Sequence, residues 1–170
     1  MPIDPKIEQP TRQMLAHAIK HELDDLAALI HAAGDKTFLA AIDLCVFAAG
    51  YIAIDVCQRW PTEADLREIA RVSAQSETHL DISEEEIYAF LSRVALGSEK
   101  LDDIFAVEGV GPVPLFATAN LLLTFFPKGE HWFEYLDQIW NAAETAERTS
   151  LKVLPALMLR ARKGAAPSAS

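Results

Sequence analysis

Two carboxylates stand among apolar neighbours at helical spacing, and they are the residues of this chain best placed to do chemistry. At about 100° per residue, Glu22 falls among Ala18, Ile19 and Leu26, and Asp43 among Leu39, Val46, Phe47 and Gly50. If the segments that carry them form an antiparallel hairpin turning at Gly34, their levels along the helices differ by about 4 to 5 Å, from the rise per residue. Carboxylates that meet in a low-dielectric interior share a proton, bind a cation, or accept hydrogen bonds from Arg, His or backbone amides. The chemical expectation is a metal or acid–base site at Glu22 and Asp43. The plainer alternative is that each reaches the helix edge or pairs with Arg71, Arg93 or a helix end.

Histidines extend that possibility. His17 and His21 are four residues apart on one polar edge, near Asp24 and with His31 further on, and two imidazoles at that spacing can chelate a transition metal. His17, His21, Glu22 and Asp43 are therefore the ligand set of the metal reading. The stretch HAIKHELDD lacks the glutamate of HExxH, the chain has no HD dipeptide, and the matched spacings of a hemerythrin-like bundle are missing. Solvated helix surface is the simpler meaning, and no metal or cofactor is required. His79 and His131 read as loop or cap residues.

Other catalytic patterns are missing: there is no GxSxG, CxxC or SxxK. The glycines of VEGVGPVP precede a helix without Walker or GxGxxG spacing, so they read as chain geometry. Cys45 and Cys57 lie 12 residues apart on one helix, about 18 Å by the helical rise, so they cannot form a disulfide with each other. They read as buried apolar residues of a reducing compartment, and MPIDPKIEQP has no basic region followed by an apolar stretch. Cytoplasmic residence is the expectation.

Charge narrows the partners. The chain has 170 residues and a net charge of -10, yet residues 1–147 hold all 25 acids and only ten of the 15 bases. The remaining five bases lie from Arg148 onward, where there is no acid. An acidic body disfavours nucleic acid and favours a basic protein or cations. A helix-turn-helix between Glu63 and Arg93 is further disfavoured by the three glutamates that would face phosphates.

The elements that must position these residues are helices almost throughout. After a Pro-rich leader, residues 1–10, Thr11 is expected to cap a first helix whose face collects Met14, Leu15, Ala18, Ile19, Leu23, Leu26, Leu29 and Ile30. Gly34 stops it and Asp35 caps a central helix, residues 36–59, with Asp55 and Arg59 spaced as an exposed ion pair. That run is long enough to span a bilayer, but two carboxylates within it cost about 2.5 to 3.5 kcal/mol each on insertion scales. It is expected to be a soluble core helix, with no transmembrane span.

Five further elements follow. A helix covers Glu63 to about Ser76; another begins at Glu84 behind a Ser83–Glu86 capping box and ends at Gly97. Ser98 opens a short segment to about Ala106, and Leu115 to Phe126 is a helix apolar on nearly every side, hence a second buried element or an oligomer contact. A last helix carries Trp132, Leu136, Ile139, Trp140 and Ala143, and Pro155 interrupts whatever begins near Ser150. The fold expected is all-α: a single-domain bundle of about six to seven helices over residues 1–163 around the buried central helix, without a sheet, and with a disordered tail at 164–170.

Two functions are compatible with this pattern. The first is a non-catalytic acidic binding module of immunity, adaptor or chaperone type that captures a basic protein, with Trp132, Trp140, Lys152, Arg160 and Arg162 as contact residues. A second copy of the chain is a further partner. The alternative is a metal-dependent or acid–base enzyme built on the carboxylate pair.

Overall fold

The computed structural model describes residues 3–77, 80–96 and 112–146, and in them it shows seven α-helices and no strand. They are α1 (Pro5–Ile19), α2 (Leu23–Ala33), α3 (Asp35–Cys57), α4 (Glu63–Ser76), α5 (Glu84–Leu96), α6 (Val113–Phe125) and α7 (Trp132–Ala146). The all-helical bundle around a buried central helix is as the periodicity requires. The expected segment from Ser98 to Ala106, the stop at Gly97, most of the VEGVGPVP hinge and everything after Ala146 lie outside the described residues.

Two helices form the centre. α3 buries ten residues on nearly every side of its middle, from Ala41 to Ile54. α6 buries Leu115, Ala117, Thr118, Ala119, Asn120, Leu121 and Leu122 in consecutive or near-consecutive positions, so it too is covered all round. α6 packs on α1, α3, α4, α5 and α7, and α1 in turn packs on α3. The Thr118 hydroxyl donates to the Cys45 carbonyl at 3.2 Å where the two central helices meet. By length and composition α3 is also the one described helix apolar enough to cross a membrane.

The helix ends follow local chemistry. Thr62 and Asp65 form a reciprocal capping box at the start of α4, and Ser83 with Glu86 forms another at α5, where the Ser83 amide donates to Glu86 at 2.9 Å and the Glu86 amide to the Ser83 hydroxyl at 3.2 Å. α3 ends one turn past Ile54: Gln58 is left-handed, φ 55°, and its amide closes on the Ile54 carbonyl. Gly34 takes φ 81° between α2 and α3, a region open to glycine. Gly50 lets α5 approach α3 closely, since a Cβ there would stand 3.3 Å from Val94.

Three expectations are corrected. The first helix begins at Pro5, inside the supposed leader, because Asp4 caps it by accepting from the Lys6 amide at 2.9 Å. Thr11 is not a cap: it is wholly buried and its hydroxyl donates to the Ile7 carbonyl at 2.6 Å. The helix also does not run through to Gly34. It stops at Ile19, His21 takes a left-handed φ of 60°, and α2 restarts at Leu23. The apolar periodicity continues across the break because both helices pack on the same core, so a periodic pattern alone does not register the change of direction.

Asp43 is the third correction. It is exposed, and so is Leu39 at 53% of its surface. Lys36, Leu39 and Asp43 occupy positions i, i+3 and i+7 on the outward face of α3, whereas Ile42, Cys45, Val46 and Ala49 face the core. Asp35 opens α3 as its first residue, with Gly34 at the cap position.

Candidate functional site

The break between α1 and α2 gathers a histidine and two carboxylates. His17 sits in the last turn of α1, Glu22 at the cap position of α2 and Asp25 in its first turn. The left-handed residue His21 reverses the chain between them, its amide closing on the Ala18 carbonyl at 3.1 Å and the Glu22 amide on the His17 carbonyl at 2.9 Å. Glu22 can thus turn back onto α1, where its Oε2 lies 2.7 Å from His17 Nδ1. One donor atom from each of His17, Glu22 and Asp25 lies within 4.8 Å of the others. His17 and Glu22 are half-buried, and Asp25 is exposed.

This grouping differs from the expected ligand set. His17 and Glu22 come together, Asp25 joins them, and His21 and Asp43 are not members. His21 fails because its left-handed backbone removes it from the helical edge it would share with His17. Asp25 was missed because a continuous helix would carry it away from His17; its place three residues after the cap residue Glu22 was legible only once the break was known.

A second concentration of charge lies on the α4–α5 hairpin, whose two helices pack along each other. Between Glu63 and Arg93 there are eight carboxylates and three arginines. Arg71 is held by Glu68 and Gln75, and Arg67 lies 3.9 Å from the centre of the Tyr88 ring and 3.8 Å from Glu63. Tyr88 itself donates to Glu63 at 2.9 Å. These contacts use Arg67 and Arg71 within the hairpin; among the described residues no salt bridge reaches Asp81, Glu84 or Glu85, which are all exposed, and Glu84 acts on Arg71 only at longer range. Negative charge is therefore left facing solvent at the start of α5.

The remaining ionisable contacts are structural. Arg59 pairs with Asp65 at 2.6 Å, and the Thr62 amide together with Arg59 holds the Asp65 carboxyl down at about 2. Asp55, expected to serve Arg59, accepts from the Tyr135 hydroxyl at 2.6 Å across the α3–α7 contact. Burial, then the nearby Tyr51 and Glu130, pushes the Tyr135 hydroxyl above its ordinary range. Arg12 joins α1 to α7 by contacts of 2.8 Å to Glu8 and 2.7 Å to Asp137. Cys45 is fully buried and its thiol is pushed up to about 12 by that burial. A thiol held protonated in this way is inert at neutral pH.

Of the expected contact residues, Trp140 is in the core and Trp132 is half-buried against it. Trp132 stands edge-on to the exposed Phe133, ring centres 5.9 Å apart. Lys152, Arg160 and Arg162 lie outside the described residues.

Fold and site together define a helical bundle with an acidic hairpin face and a small histidine–carboxylate group at a helix break. Comparison with protein-family models, with curated proteins and with solved structures finds no match for this chain.

Proposed function

We propose that the chain is a non-catalytic, cytoplasmic binding module that captures a basic protein on the α4–α5 hairpin. The observation that supports this is the state of its charges: the hairpin's arginines Arg67 and Arg71 are occupied internally, while Asp81, Glu84 and Glu85 face solvent with no salt bridge among the described residues, Glu84 acting on Arg71 only at longer range. Exposed charge of one sign raises the association rate of an oppositely charged partner and fixes its orientation. Part of the glutamate cluster has a local purpose, since acids are favoured in the first turn of a helix, but only Glu86 is consumed by the cap.

The competing enzyme reading loses its premise of a buried carboxylate pair, because Asp43 is on the surface and Glu22 is engaged with His17.

The test is affinity capture on the full chain beside a Glu84→Lys, Glu85→Lys variant. The expected result is a basic protein retained by the wild type, released by moderate salt and not retained by the variant. Equal retention by both, or a complex indifferent to salt, overturns the proposal.

A further inference from the structure

The His17–Glu22–Asp25 group has no part in the proposed capture of a basic protein, and its geometry stands apart from that reading. Carboxylates at a helix start normally serve the helix: the cap residue accepts from amides of the first turn, and the acid three residues on reaches back to the cap amide. Here neither does. Glu22 makes no side-chain cap bond, and the Glu22 amide is taken by the His17 carbonyl. The Asp25 side chain makes no hydrogen bond to a described residue, and no described lysine or arginine pairs with either acid.

An imidazole and two carboxylates thus stand together, one ligand atom of each within 4.8 Å of the others, and loss of the proton shared by His17 and Glu22 would free both for an ion. Ligands of one ion at bond lengths of about 2.1 Å stand about 3 to 4 Å from one another. The present separations, from 2.7 Å between His17 and Glu22 up to 4.8 Å across the group, bracket that range, so rotamer adjustment suffices. The imidazole decides the class of ion. Calcium and magnesium take oxygen ligands, whereas nitrogen with carboxylate suits zinc and its first-row neighbours.

We propose that His17, Glu22 and Asp25 form a binding site for one divalent first-row transition-metal ion at the α1–α2 break, with water completing the coordination. The ion ties the end of α1 to the start of α2 and so fixes the angle at which α2 leaves the bundle.

Calorimetric titration of the full chain with zinc chloride tests this, with His17→Gln, Asp25→Asn and His21→Gln variants alongside and circular dichroism confirming that each is folded. Asp25 is exposed, so its substitution does not threaten the fold. The expected result is one zinc ion per chain, bound about tenfold or more weakly by His17→Gln and by Asp25→Asn, a scale reached even by outer-shell substitutions. His21→Gln and excess magnesium leave binding unchanged. No uptake by the wild type, uptake that survives Asp25→Asn, loss on His21→Gln or displacement by magnesium each overturns the assignment.

Discussion

Residue 21 separates the broken helix from a continuous one by the sign of a stability difference. His21 has φ 60°, a conformation that costs a residue with a Cβ about 1 kcal/mol or more and glycine essentially nothing. Comparison of His21→Gly with His21→Ala removes the imidazole from both and isolates the backbone. In the left-handed position, glycine is the more stable by about 1 kcal/mol; in a continuous helix it is the less stable by about 1 kcal/mol. The measured Gly–Ala difference is therefore about 1 kcal/mol of one sign or the other, which for a chain of this length is about 2 to 4 °C in Tm. Thermal unfolding followed by circular dichroism at 222 nm, a helix-sensitive wavelength, reads it directly. Glycine is expected to melt above alanine, and alanine melting above glycine would refute the break and, with it, the grouping of His17 with Glu22.

Three further outcomes follow from the core and the caps. Asn120 is fully buried, accepts from Ser73 and Thr124 and donates to the Glu77 carbonyl, so Asn120→Ala is expected to cost about 2 to 4 kcal/mol and Ser73→Ala about 1. Urea unfolding of both single variants and the double should show coupling above about 0.5 kcal/mol; strict additivity would deny the bond. Cys45 loses its proton near pH 9 when unfolded and near 12 when folded, so between these values the unfolded chain binds fewer protons and stability falls as pH rises, by about 1.4 kcal/mol per unit. Urea midpoints at alkaline pH should therefore decline less steeply in Cys45→Ala, where Cys57 and Tyr135, both also raised by burial, retain part of this trend, and an unaltered slope would contradict the burial. Asp65 should titrate by NMR at about 2, and Arg59→Gln should raise that midpoint only partly, because the Thr62 amide acts first. Its contribution to stability is present above the usual carboxylate pKa and disappears as pH falls toward 2; an Asp65 midpoint near 4 in the wild type would contradict the cap.

Helical periodicity was legible for α4 and α5, whose starts fall where their caps put them, and the turn between α6 and α7 falls at Pro127 and Gly129. The site was less legible, for two physical reasons. Lys20-His21-Glu22 holds no glycine, the usual signal of a left-handed residue, and a histidine, though enriched in that conformation, marks it only weakly. Apolar flanks also misplaced Asp43: Leu39 is apolar yet faces solvent, and a carboxylate beside it was assigned to the core on the strength of its neighbours. Glu22 was singled out for a burial it lacks, yet it does meet His17, which a hairpin of unbroken helices would not have required. The acidic hairpin was visible as composition, but only the packing shows which glutamates are spent on Arg67, Arg71 and the cap and which are left facing solvent.

The central claim is that the solvent-facing acids at the start of α5 receive a basic partner. Its most direct measurement is the dissociation constant of the captured protein for the wild type and for the Glu84→Lys, Glu85→Lys variant across a series of salt concentrations. The expected result is affinity that falls steeply with salt in the wild type and is weak and nearly flat in the variant. Affinity equal in the two proteins, or insensitive to salt in both, would contradict the account.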